Sequence, residues 1–126
     1  MENSDLENFA MPLIRYDRFG RSIWHNTLAQ TMLITPMEQI LSIPPSNPEP
    51  FSIHVARYFR TLHDVLKTGS PSEFELTFNS LPKKEPKSFL IRFLPELDEA
   101  GSLVGIMAAA EEITDKSLEK QSSVRG

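Results

Sequence analysis

The chain contains no cysteine. No disulfide can form, which fits a reducing compartment. It also lacks any apolar run approaching the roughly 18–20 residues of a membrane span. Its first nine residues carry Glu2, Asp5 and Glu7 but no apolar signal-peptide core. This stretch is therefore expected to be cytoplasmic, with no membrane contact. Basic residues are dense only at Lys83, Lys84 and Lys87, interrupted by Glu85 and Pro86, and the net charge is -4. That balance is a poor match for a phosphate backbone, so no nucleic acid is expected, and the cluster reads as a solvated loop. No His/Cys/carboxylate cluster has metal-ligand spacing, and there is neither a nucleophile elbow nor a phosphate-binding glycine loop. Glu111 and Glu112 are adjacent in an expected strand and point to opposite faces, so they cannot work as a paired acid and base. The expected activity is binding or relay, not catalysis; a small α+β enzyme is the weakest reading.

What is present suits one domain of 126 residues. A chain of this size buries roughly 65–70% of its unfolded surface, enough for a core without staples. Met1 to Ala10 is polar with Leu6, Phe9 and Ala10 at near-helical spacing, a leading segment or short helix. Pro12 to Tyr16 reads as a strand, Asp17-Arg18-Phe19-Gly20 as a type I turn, and Arg21 to His25 as the second strand of a hairpin. Asn26 can cap a short helix from Thr27 to about Leu33. Thr35-Pro36-Met37-Glu38 has a capping-box pattern for a further helix to about Ser42. The stretch Pro44 to Pro50 holds four prolines in seven residues and must connect.

Phe51 to Thr68 is the clearest helix. Val55, Tyr58, Phe59, Leu62, Val65 and Leu66 form one apolar stripe, and Gly69 with Pro71 ends it. The period then falls to two. Phe74, Leu76 and Phe78 alternate with Glu73, Glu75 and Thr77. Ser80 to Pro86 is a polar hairpin loop. Phe89, Ile91 and Phe93 alternate with Leu90, Arg92 and Leu94. Asp98 to Gly101 is a turn, and Leu103 to Glu111 is a nearly all-apolar last strand. Asp115 to Gly126 is a polar tail that begins as helix. The order β-β-α-α-α-β-β-β, with hairpin-length links between the last strands, gives an α+β domain whose antiparallel sheet is covered on one face by the mid-chain helices.

Three groups of residues, in order, resemble the signatures of the PAS family. The first is Ile14-Arg15-Tyr16-Asp17-Arg18-Phe19-Gly20-Arg21-Ser22-Ile23-Trp24-His25-Asn26, a strand, an Asp-x-x-Gly turn, a strand and a helix-opening Asn. The second is Thr68-Gly69-Ser70-Pro71. The third runs from Phe93-Leu94-Pro95 through Asp98-Glu99-Ala100-Gly101 and Leu103-Val104-Gly105-Ile106 to Glu112-Ile113-Thr114-Asp115, with Glu112 where Asp is usual. The resemblance covers about residues 10 to 118. It implies a five-stranded sheet of order 2-1-5-4-3 over residues 11–115, followed from 116 to 126 by a linker helix or tail. It also implies a sensory input module of a bacterial signalling protein, a sensor histidine kinase of a two-component system or similar regulator, that leads to an output domain.

The resemblance raises ligand chemistries that the residues can test. Flavin-photoadduct and thioester-chromophore sensors need a cysteine and are excluded. A haem sensor needs a helical His ligand. His54 and His63 lie at the edge of the apolar stripe, and Tyr58-Phe59-Arg60 occupies the mid-helix position, so no cofactor is predicted. The family often has a cavity between helices and sheet. Its candidate walls here are Ile23, Phe59, Leu62, Phe74, Leu76, Met107 and Ala109, with His25 as a polar or pH-sensing group, set against a fully packed core. Arg92 could fork an acidic ligand there or pair with Glu75 on the adjacent strand; the pair is favoured. Leu103 to Ala110 is apolar on both faces, so both should be covered. A homodimer through the outer sheet face and leading segment is the expected cover. The alternative to a relay and dimerisation module is a sensor holding a small molecule or haem.

Overall fold

The structure is a computed structural model that describes residues 10–79 and 85–113. All but the last residue of the leading segment or short helix expected over Met1 to Ala10, most of the loop from Ser80 to Pro86 and the tail from Asp115 lie outside those residues.

Five strands form one antiparallel sheet: β1 (Leu13–Asp17), β2 (Ser22–His25), β3 (Ser72–Asn79), β4 (Pro86–Leu97) and β5 (Leu103–Ile113). Their spatial order is β2-β1-β5-β4-β3, as the resemblance implies. The last strand in sequence therefore sits in the middle, between β1 and β4. Both tight turns are built alike. Asp17 Oδ1 accepts the N–H groups of Phe19 and Arg21, and Asp98 Oδ1 accepts those of Ala100 and Ser102. These are the Asx contacts that let Asp begin a turn. In the first turn the Arg21 backbone N–H, above all, holds the Asp17 carboxyl below the usual carboxylate range.

The helical layer begins at Asn26, whose side chain accepts the Ala29 N–H at 2.9 Å. It runs through α1 (Thr27–Ala29), a π-helical stretch (Gln30–Ile34) and α2 (Thr35–Leu41). The two separate helices read from the sequence are thus one continuous path. Thr35 is helical and its backbone N–H reaches the Gln30 carbonyl; it makes no capping box. Pro36 gives the physical reason. It has no N–H to donate, and its ring would clash with the Met32 carbonyl in a regular α-helix. The backbone widens just before it, as π-turns inside helices do.

Helix α3 (Ser52–Thr68) lays its stripe on the sheet, burying Val55, Tyr58, Leu62 and Val65. Full burial of such side chains stabilises the fold by roughly 1.5–3 kcal/mol each. Gly69 ends the helix at φ +72°. The facing sheet surface supplies Ile14, Tyr16, Leu76, Phe78, Phe89, Ile91, Phe93, Ile106, Ala108 and Ala110. On the other face of β5 stand Met107 and Ala109, so that strand is apolar on both sides as expected.

Candidate ligand-binding site

A cavity of about 380 Å³ opens between the β1–β2 hairpin and the helical layer. That volume falls in the range of small-molecule pockets. Ile14 and Tyr16 of β1 form its sheet wall, with Gly20, Ser22 and His25 from the hairpin. Gln30 and Ile34, the two ends of the π-helical stretch, face it, followed by Met37, Glu38 and Leu41; Phe59 closes it from α3. Gln30 is steadied by a hydrogen bond from its Nε2 to Thr35 Oγ1 at 3.0 Å. The lining mixes apolar side chains with a few polar ones, the composition that orients a small organic molecule.

A pair of buried phenols sits between this cavity and the core. The hydroxyl oxygens of Tyr16 and Tyr58 are 2.7 Å apart. Desolvation pushes the Tyr16 hydroxyl up to about 12 and holds that of Tyr58 well above its ordinary value. Both are therefore neutral phenols at any physiological pH. Around Tyr58 the rings of Phe59 and Phe93 pack edge-on, each with its centroid 5.1 Å away. Phe74 stacks on Phe93 at 6.0 Å. Edge-to-face contacts of this kind contribute about 0.5–1.5 kcal/mol beyond area burial. The centre of the domain is thus packed, and the open space is displaced toward the β2 edge.

The residues expected in the cavity wall separate accordingly. His25 and Phe59 do line it. Leu62 and Leu76 are buried in the packed core, and Phe74 is packed against it. Ile23 is 59% exposed and turns away. The cause is a break in register: Arg15 faces Trp24 and Tyr16 faces Ser22, leaving Ile23 unpaired between them. An inserted residue inverts alternation beyond it, so Ser22 takes the inward place that simple alternation gives to Ile23. Met107 and Ala109 lie on the outer sheet face, because Ile106, Ala108 and Ala110 are the inward residues of β5. Arg92 shares that outer face. It stands opposite Glu73, not Glu75, and pairs with Glu73 at 3.3 Å and Glu111 at 3.2 Å. It therefore cannot reach a ligand in the cavity. The α3 histidines do not line the cavity either: His54 lies 6.2 Å from Phe51 between ring centroids, and His63 is exposed. Among the described residues no group of His, Asp and Glu side chains is placed to hold a metal ion. Tyr16, Tyr58 and the helical wall were not singled out from the sequence. The inward alternation of Ile14 and Tyr16 and the place of Tyr58 in the stripe were the signals available.

The family model described as the PAS fold matches residues 6–118. The chain belongs to the PAS family. It is a PAS sensory domain, and solved PAS-type structures resemble it throughout. VqmA of Vibrio cholerae, in a structure of its dimer without target DNA, aligns with a TM-score of 0.60 at 14% identity, over 90% of this chain and 51% of that one. VqmA bound to DPO gives 0.62 at 15% identity, over 94% and 59%. The LOV protein of Rhodobacter sphaeroides gives 0.58 at 16% identity, over 98% and 74%. The chain spans between half and three fifths of the VqmA chains it matches. At these identities the likeness is one of fold. No curated protein matches the chain in sequence. No helix among the described residues is long and apolar enough to cross a membrane.

Proposed function

We propose that this PAS domain is the cytoplasmic input module of a bacterial signal-transduction protein, a sensor histidine kinase or similar regulator. A small organic molecule in the hairpin cavity is the signal, and an output domain receives it. The observation that carries this reading is the cavity of about 380 Å³ set between β1–β2 and the π-helical stretch. Apolar walls with a few polar side chains favour binding a small molecule as the reading. VqmA, similar in fold, has been seen bound to DPO. A thermal-shift screen of small neutral organic compounds tests the reading. A ligand at 100 times its Kd adds about 2.7 kcal/mol of stability, roughly 10 °C for a domain of this size. If none of the compounds that fit the cavity raises the Tm, the ligand reading fails.

The outer sheet face supports a second role. Leu94, Met107, Arg15 and Trp24 form one row across β4, β5, β1 and β2. Leu94 is 47% exposed in that row. A second copy of the chain is the partner we assign to it. Analytical ultracentrifugation at tens of micromolar should show a dimer that Leu94→Glu dissociates; a monomeric wild type counts against the assignment.

A further inference from the structure

The chain has two tyrosines, and both are in the buried pair. Tyr58 is 0% exposed and Tyr16 5%. Among the described residues each hydroxyl has the other as its one hydrogen-bonding partner. A neutral phenol carries one O–H proton and can also accept. The pair therefore holds two protons and uses one of them internally. The other needs an acceptor.

Two arrangements are available. If Tyr16 donates to Tyr58, the surplus proton sits on Tyr58, enclosed by the rings of Phe59, Phe74 and Phe93. A buried donor left unmade costs roughly 1–3 kcal/mol. If Tyr58 donates to Tyr16, the surplus proton belongs to the member of the pair that lines the cavity. The second arrangement avoids the penalty. Among the described lining residues the acidic group is the Glu38 carboxylate, and no Lys or Arg stands beside it. An anion is therefore disfavoured, while Ile14, Ile34 and Met37 supply apolar walls.

Resting on the reading of this cavity as a ligand site, we propose that its occupant is a small, largely apolar, neutral molecule bearing a carbonyl or ring-nitrogen acceptor, and that Tyr16 donates its hydroxyl proton to it. Tyr58 is a positioning residue, holding the Tyr16 oxygen and accepting nothing from the ligand.

Acetophenone and ethylbenzene are matched probes, of similar shape and differing in the acceptor. Binding of each to the full chain is followed by NMR of the Ile14, Ile34 and Met37 methyl groups. Tyr16→Phe should weaken acetophenone roughly five- to tenfold, the size of one net hydrogen bond, and leave ethylbenzene within about twofold. Tyr58→Phe removes the group that orients the Tyr16 hydroxyl, so it should weaken acetophenone by less than Tyr16→Phe does and leave ethylbenzene unchanged, whereas a merely structural role would weaken both probes in both variants. In the wild type, the carbon-13 shift of Tyr16 Cζ should move with acetophenone and not with ethylbenzene; this measurement stands even if a variant fails to fold. Undiminished acetophenone binding by Tyr16→Phe, or an unmoved Tyr16 Cζ, overturns the proposal while leaving the cavity reading intact. If neither probe binds the wild type at millimolar concentration, the cavity reading falls, and this proposal with it.

Discussion

The side-chain oxygen of Asn26 accepts the backbone N–H of Leu13 at 3.0 Å, across the hairpin that the two residues bracket. The same oxygen caps α1 through Ala29, and the amide nitrogen donates to the Met11 carbonyl at 2.9 Å. One fully buried side chain thus ties the start of β1 to the start of the helical layer. Asn26→Ala removes a cap, worth about 0.5–2 kcal/mol, and strands the buried Leu13 donor. We expect a loss of roughly 2–4 kcal/mol, read as a lower urea midpoint at unchanged slope. Asn26→Ser, which retains an acceptor, should recover part of it.

Gly105 lies against β1, where an added Cβ would collide with the Tyr16 carbonyl oxygen. Backbone cannot swing aside as a flexible side chain can. Gly105→Ala should therefore cost at least about 2 kcal/mol, near the upper part of the overpacking range. Since the strand displaced is the cavity wall, probe binding should weaken as well. Denaturation and the methyl-shift titration on the same sample check both.

Alkaline titration gives a third test. The Tyr16 phenol is raised to about 12 in the fold and Tyr58 well above its ordinary value, burial being the main cause in both. Between pH 10 and 12 the unfolded chain releases these protons and the folded chain keeps them. The stability they contribute is complete below pH 10 and is lost as pH rises through 12. Absorbance at 295 nm should show no phenolate near pH 10 while the fold persists, then both tyrosines ionising together with unfolding. A normal titration near 10 in the folded protein would contradict the buried pair.

Arg92 joins Glu73 and Glu111 on a partly solvated face, its side chain 41% exposed. Arg92→Ala should lower stability by less than about 1 kcal/mol, an effect that fades with added salt. Acetophenone affinity should not change, because the guanidinium is on the side of the sheet opposite the cavity. A marked loss of binding would show that the face assignment is wrong.

Much of this fold is legible in its residues. Asp17 and Gly20 mark the first hairpin, Asn26 the helix start, Gly69 the end of α3, and the Phe74-Leu76-Phe78 alternation the inward face of β3. Those signals are local, set by turn chemistry and periodicity. The cavity walls depend on parity, and parity is where the residues fall silent. In β5 both faces are apolar, so nothing in its composition separates Ala108 from Ala109. In β2 the unpaired Ile23 shifts the alternation without any glycine or proline to mark it. The length of the β3–β4 loop fixes which glutamate meets Arg92, and Glu73 and Glu75 are equal candidates until it is known. The Tyr16–Tyr58 contact joins residues 42 positions apart, and only the packed fold brings them together.

The central place of β5 has a mechanical consequence. Tyr16 is directly opposite Ile106, in the ladder that joins the cavity wall to β5. From Ile106 the strand continues without interruption to Ile113, seven residues or roughly 24 Å at the usual rise of an extended chain. A displacement of β1 by the proposed occupant would be handed on through strand hydrogen bonds alone, with no loop in the path to absorb it. With the cavity occupied as proposed, the sheet would work as a stiff pushrod, its load applied at the hairpin and delivered at Ile113.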